Sequence, residues 1–345
     1  MAISPAVSAI RVYSSSVSQI AVDRPIRWGF LGAGGIAAEM AADLHHGNNV
    51  LHAVAARDAD RAAAFAARFG ASHSQSDYRA VVEDPDVDIV YVATTHPFHR
   101  EQALMAIDAG KHVLIEKPLT LNAAHAREVV TAARDKGVFA MEAVWMRANP
   151  LIIRAQEAVA QGVIGDVVSV HADFSIRRDF DPTHRLYDLA NGGGALLDLG
   201  VYPIHFAWLF LGHPDTQQVL GTLSPTGSDA TVALQWGYTS GATAQLRCAT
   251  TALTPGRATI AGTTGSISVE PRFLDPTRLV VTTSEGESWI EGQDTAYGAQ
   301  IEEVERCLRE GLLESPVAPL ADTIAILELI DQARADLGVR YPDEA

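Results

Sequence analysis

The hydrophobic positions of the chain follow two different rhythms. Through about residue 148, short unbroken runs of β-branched and apolar residues (26–31, 50–56, 87–93 and His112 to Glu116) alternate with stretches whose apolar positions recur every three or four residues. The unbroken runs predict strands buried on both faces. The longer stretches, reaching to about Leu44, through Ala109-Gly110 and from Asn122 to Lys136, predict helices. Strands alternating with helices of this length predict a doubly wound parallel sheet, whose ligands lie beyond the strand C-termini.

After Pro150 the rhythm changes. A helix over 151–161 gives way to period-two runs at 167–176, 230–238, 242–247 and 258–261, which read as meandering antiparallel strands with a hairpin turn at Ser240-Gly241. Helical stretches at 297–313 and 319–337 follow. The expected fold is therefore α/β, with a second α+β domain. Residues 1–24 read as a poorly ordered extension without the apolar block of a signal peptide, 25–148 as a dinucleotide-binding domain, and 149–345 as a substrate-binding and oligomerisation domain. A sheet with one open face offers a surface for a homodimer or homotetramer.

Composition narrows the partners. With 26 Lys+Arg against 42 Asp+Glu, the formal charge of -16 repels phosphate backbones and anionic lipid, so neither nucleic acid nor a membrane is an expected partner. No uninterrupted apolar run reaches the roughly 18 residues of a membrane helix. Cys248 and Cys307 are too few for a disulfide framework or a thiolate metal site, and they fit a reduced, cytoplasmic setting.

Candidate chemistry begins at the first strand-to-helix junction. Gly32, Gly34 and Ala37 have the spacing G-x-G-x-x-A, in which the first glycine makes the turn and the second admits a pyrophosphate. Gly35 and Ile36 then open a helix whose N-terminus faces the anion. The second strand ends in Arg57, with Arg61 one helical turn on, where an acidic residue would select NAD. Guanidinium groups suit a 2′-phosphate, so NADP(H) is expected over NAD(H), the alternative being Asp58 turned inward to the ribose of NAD. Thr94, Thr95, His99 and Glu116 fall at later strand ends and complete the expected cofactor set with Lys117. His96 and His99 lack a carboxylate or cysteine at ligand spacing, so no metal is expected.

Two further stretches carry the reactive groups. Lys117 is held extended by Pro118 at the mouth of a buried strand. In 191–205, a helix over 195–210 would put Asp198, Tyr202 and His205 on one face behind a triple glycine, with Pro203 as its weak point. A core tyrosine whose hydroxyl is satisfied by Asp198 is the alternative there. Hydride transfer to or from a carbon bearing oxygen leaves a proton to manage. Lys117 suits the stabilisation of an alkoxide, Tyr202 the exchange of the proton with its pKa lowered by the ammonium, and Asp198 the positioning of either.

Gly32 to Ala37, Glu116-Lys117-Pro118 and Gly193 to Tyr202 together resemble the Gfo/Idh/MocA oxidoreductase family over residues 25–340. Residues 141–147, the strand end at Ala56-Arg57-Asp58, and Glu314-Ser315-Pro316 resemble its subgroup of dimeric dihydrodiol dehydrogenases and NADP-dependent D-xylose 1-dehydrogenases. The resemblance implies a Rossmann domain followed by a large open sheet that mediates dimerisation. It also implies a cis Lys117-Pro118 bond, and places the family's lysine, aspartate and proton-donating tyrosine on Lys117, Asp198 and Tyr202. Trp145, Phe174 and Tyr297 match aromatic positions of the substrate pocket, and His205 a supporting one. Thr95-His96 replaces the family's common proline or asparagine. The implied activity is NADP(H)-dependent oxidation or reduction of a carbohydrate or diol, with a non-catalytic dinucleotide-sensing regulator as the alternative.

Overall fold

The computed structural model describes residues 20–342 except 22, 271 and 294. Of the expected extension, residues 1–19 and 22 lie outside the described residues. Ile20 is buried and Arg24 pairs with Asp88 at 2.7 Å, so the end of that segment packs against the body of the protein.

Six strands among the described residues form the first sheet. They are β1 (Ile26–Leu31), β2 (Asn49–Ala55), β3 (His73–Gln75), β4 (Ile89–Val92), β5 (His112–Glu116) and β6 (Ala140–Ala143), in the order β3-β2-β1-β4-β5-β6. Every pairing in it is parallel. The helices α1 (Gly35–Asp43), α2 (Ala59–Phe69), α3 (Tyr78–Val82), α4 (His99–Asp108) and α5 (Ala123–Lys136) connect its strands. Strand order reverses between β1 and β4, which opens a crevice at their C-terminal ends.

Asn149 caps α6 (Pro150–Ala160) by accepting the Leu151 N–H at 2.9 Å, and Pro150 takes the first helical position, where no N–H is needed. The second sheet contains β7 (Val167–Ser175), β8 (Thr216–Leu223), β9 (Asp229–Gly237), β10 (Thr243–Ala249), β11 (Ala258–Gly262), β12 (Gly265–Glu270), β13 (Arg278–Thr283) and β14 (Gly286–Glu291). Its order is β14-β13-β12-β11-β7-β10-β9-β8. The expected hairpin is present between β9 and β10, with Gly241 at φ +88°. The expected antiparallel meander is corrected in one place, because β7 and β10 pair in parallel. A parallel pair needs a long crossover, supplied here by the segment carrying α7 (Val201–Leu211) together with β8 and β9.

The helix expected over 195–210 is present, with one difference: Leu196–Gly200 makes a π-helical turn that runs directly into α7, and Pro203 follows that turn. The 23-residue stretch Leu189–Leu211 contains an 18-residue window apolar enough to cross a membrane, yet 78% of that window is buried within the protein. Ile204 and Phe206 of α7 pack with Trp236 and Leu246 of the second sheet.

The last helices return to the first sheet. Ile301, Val304 and Leu308 of α8 (Gly298–Glu310) join Phe30, Tyr91 and Leu114 in one apolar cluster. From α9 (Leu320–Leu337), Asp331 accepts the Ala123 N–H at the start of α5 at 2.9 Å, and the Thr323 hydroxyl donates to Glu142 of β6 at 2.7 Å. Glu142 also accepts the Leu119 N–H at 2.9 Å, so one buried carboxylate holds β6, the chain after β5 and α9 together. Burial pushes that carboxyl up, but the nearby His205 ring and the bonds from Thr323 and Leu119 outweigh it and bring it below the usual range. Replacing Glu142→Ala strands these donors, and urea unfolding is expected to show a loss of about 3 kcal/mol; unchanged stability would contradict the brace.

Candidate active site

The glycine turn has the shape a diphosphate requires. Gly32 sits at φ +111°, and a Cβ there would lie 2.6 Å from the Ala93 carbonyl, so neither the backbone angle nor the space admits a side chain. Gly34 and Gly35 are the reverse case, since a Cβ at either meets nothing within 4 Å. That open side adjoins the start of α1, where Gly34 is the N-cap and no side chain caps the helix. Its N–H groups and dipole present a seat for an anion. The residues present thus fit a bound dinucleotide.

All eleven residues expected at the cofactor border one cleft of about 920 Å³, and Asp198 borders it too. Within it their roles differ. Arg57 lies 5.8 Å from the Phe98 ring, which supports the guanidinium at the cleft wall. Asp58 is the N-cap of α2, accepts the Arg61 N–H at 3.0 Å through Oδ1, and also borders the cleft. His99 is fully buried, its two ring nitrogens 2.9 Å from the Pro118 carbonyl and 3.2 Å from the Thr94 carbonyl. It joins the chain after β4 to the chain after β5 as a brace while bordering the cleft.

The charged centre lies where the two sheets meet. Lys117 follows β5, its bond to Pro118 is cis, and its Nζ donates to both the carbonyl (2.6 Å) and Oδ1 (3.1 Å) of Asp198. Arg185 closes on the same carboxylate with two bonds, of 2.9 Å to Oδ1 and 3.1 Å to Oδ2. Burial alone would raise the Asp198 pKa, but Lys117 and Arg185 outweigh it and hold the carboxyl far below its usual range. Asp198 is an anion at every working pH. His96, 3.9 Å from Asp198, is pushed down to about 3 by burial and is neutral.

Tyr202 stands against this centre, with the Lys117 ammonium 5.1 Å from its ring centroid. Asp198, Tyr202 and His205, expected on one face, take different hydrogen-bond partners. Asp198 faces Lys117, the Tyr202 oxygen accepts from Trp145 Nε1 at 2.9 Å, and His205 lies 3.3 Å from Arg147 and 3.6 Å from Glu142. The alternative of a Tyr202–Asp198 hydrogen bond falls. Trp145 and Phe174 meet the Tyr202 ring edge to face, at 6.5 and 5.7 Å between centroids, and Tyr297 lies 5.2 Å from Trp145. These four aromatics do not border the cleft itself and form an adjoining cluster linked to it through Lys117.

The tyrosine pKa departs from expectation. Burial, followed by the nearby Glu116 carboxylate, raises it well above the ordinary value, and the Trp145 hydrogen bond offsets this only in part. Glu116 is itself buried, accepts from the Tyr91 hydroxyl and the Lys117 N–H, and is pushed up to about 7.

Arg185 and Glu142 are the groups that sequence reasoning missed. Arg185 sits beyond the 177–181 loop in no recognisable motif. Glu142 reads as one polar residue in a short strand, and its partners lie 23 and 181 positions away.

Comparison with known proteins accords with this geometry. Residues 26–144 match the profile described as an oxidoreductase family with an NAD-binding Rossmann fold, and residues 152–268 match the GFO/IDH/MocA C-terminal domain. The chain belongs to the GFO/IDH/MocA oxidoreductase family. Among family relatives, the trans-1,2-dihydrobenzene-1,2-diol dehydrogenase of Mus musculus is 36% identical over 336 residues, covering 92% of this chain and 99% of its own. A 3-ketoreductase from Actinomadura kijaniata, solved with NADP and TDP-benzene, superimposes with a TM-score of 0.81 at 29% identity over 92% of this chain and 99% of that one. The aldose-aldose oxidoreductase of Caulobacter crescentus shares the fold, with a TM-score of 0.84 at 22% identity over 91% and 98% of the two chains.

The raised Glu116 pKa has a thermodynamic consequence. Between the ordinary carboxyl value of 4.5 and about 7 the folded protein holds a proton here that the unfolded chain releases, so this group's contribution to stability falls as pH rises through that window. Relative to wild type, Glu116→Gln is expected to remove a slope of up to about 1.4 kcal/mol per pH unit, measured by urea unfolding across that range. Parallel wild-type and variant profiles would refute the assignment.

Proposed function

We propose that this protein is an NADP(H)-dependent oxidoreductase that interconverts a hydroxyl and a carbonyl on a sugar or cyclic diol. The observation carrying the proposal is the meeting of Lys117 and Asp198 at the end of a cleft that begins with a diphosphate-shaped glycine turn, with the Tyr202 ring set against Lys117 beside it. Bound nicotinamide supplies or takes up the hydride. Tyr202, kept protonated by its surroundings, gives its proton to the substrate oxygen in the reducing direction and regains it in the other. The Trp145 bond occupies a lone pair of the phenol oxygen and leaves its O–H to donate. Lys117 stabilises the developing negative charge, and Asp198 fixes its position. The cluster of Trp145, Phe174 and Tyr297 supplies apolar faces for a sugar or diol ring. The names of the relatives, a dihydrodiol dehydrogenase and a ketoreductase solved with NADP, support the same class of substrate and cofactor.

The open face of the second sheet supports a homodimer. Leu220 of β8 is 78% exposed and Val168 of β7 is 46% exposed, against the ordinary tendency of isolated sheets to cover such residues. Sedimentation is expected to give twice the chain mass for wild type and a single chain for Leu220→Arg; a wild-type monomer would reject the dimer.

Incubation with NADP+ and a panel of pentoses, hexoses and trans-diols is expected to yield reduced nicotinamide with at least one of them. Lys117→Met should lower kcat on the order of a thousandfold with cofactor binding retained. Cofactor binding without turnover across the panel would favour a sensing regulator instead.

Arg57→Ala is expected to weaken NADP binding relative to NAD by one to two orders of magnitude, roughly the worth of a charge-assisted bond. Fluorescence titration with each dinucleotide reads this directly, and equal affinity of wild type for both would remove the NADP assignment.

A further inference from the structure

The fold gathers three residues that the proposed reaction does not use. His52 lies within β2, His73 opens β3, and Asp84 follows α3, so two strands and a loop each contribute one donor. A ring nitrogen of each histidine and a carboxylate oxygen of Asp84 lie within 4.8 Å of one another. His52 Nε2 is 3.3 Å from Asp84 Oδ2, and the two imidazoles meet edge to face with centroids 5.0 Å apart. Ligands held at about 2.0–2.2 Å from one ion fall within about 4 Å of each other, so a small rotation of the exposed His73 closes the set.

A second, independent observation points the same way. His52 Nε2 is shielded from solvent and has no hydrogen-bond partner among the described residues, the contact with Asp84 being poorly aligned for one. A buried nitrogen in that state calls for an explanation, and a bound ion gives one. Asp84 Oδ1 accepts the Asp86 N–H at 2.8 Å, which leaves Oδ2 turned to His52. The neighbouring cation, Lys111, is occupied by the carbonyls of Asp84 and Val87 at 2.6 and 2.8 Å. The other histidine-rich group, Asp43 with His45 and His46, is already committed. Asp43 accepts the Tyr297 N–H at 2.9 Å, and His45 Nδ1 lies 2.8 Å from the Ala42 carbonyl.

We propose that His52, His73 and Asp84 bind a first-row divalent cation of the zinc type that pins the edge strand β3 and the Asp84 loop onto β2. Two imidazoles and one carboxylate suit zinc, with water in the remaining position. Strand β3 is three residues long and lies at the edge of its sheet, where pairing alone stabilises little. None of the three residues borders the cofactor cleft, so the ion would act on stability and not on hydride transfer.

The test uses tag-free, full-length protein stripped with chelator and desalted. Zinc is titrated by calorimetry, cobalt by visible absorption, and thermal unfolding is followed with and without zinc. One equivalent of either ion should bind, and the melting temperature should rise with zinc concentration. His73→Ala, at an exposed position that leaves the fold intact, and Asp84→Asn should each weaken binding by more than about tenfold and abolish the thermal shift, while His45→Ala behaves as wild type. Absence of saturable binding, equal affinity in His73→Ala, or loss of binding in His45→Ala would each overturn the proposal.

Discussion

The ion pair between Lys117 and Asp198 is the constraint on which the rest of the structure depends. Lys117 closes a strand of the first sheet, Asp198 sits in the π turn that leads into α7 over the second, and the two are 81 positions apart. Two charges buried this far gain stability only when geometry is close and the remaining polar atoms are satisfied. Both conditions are met. The ammonium also reaches the Asp198 carbonyl, and Arg185 takes both carboxylate oxygens. The same contacts keep a positive charge beside Tyr202 at the junction of the two sheets, so cohesion and chemistry share a few atoms.

Around that pair lies a set of neutral and ionic braces that orient it. His99 joins the ends of β4 and β5, Glu142 anchors the chain after Pro118 to β6 and α9, and Trp145 fixes the direction of the Tyr202 hydroxyl. Each acts on the backbone or side chain next to a reactive group. Burial is the first cause that lowers the pKa of both histidines near the centre, His96 and His99. With the His96 ring neutral, Lys117 and Arg185 supply the positive charge facing Asp198.

Much of this was legible in residue order, and the reasons differ by element. The parallel sheet showed itself because its strands are buried on both faces and its helices keep one apolar stripe, so composition and period agree. The glycine turn was legible because Gly32 occupies a backbone angle and a space that admit little else. Strands β8 and β14 escaped, being exposed along most of their length, so that no buried alternation marks them. In β12 and β13 the buried alternation of Ile267 with Val269 and of Leu279 with Val281 was a readable signal that went unused. The partners of Asp198, Tyr202 and His205 were beyond a helical-period argument, because Lys117, Trp145 and Arg147 reach them only through tertiary structure. Arg185 illustrates the general limit: an arginine in a loop gains meaning only from a carboxylate that tertiary structure brings to it.

The arrangement therefore predicts a single reacting position, bounded by groups from both sheets. The most direct measurement is a crystal structure of the protein with NADP+ bound. The account predicts the diphosphate on the turn at Gly32 to Ile36, the 2′-phosphate at Arg57, and the nicotinamide with its reactive carbon facing Lys117 and the Tyr202 hydroxyl together. A nicotinamide directed away from those two side chains, or a cofactor seated outside the cleft, would contradict it.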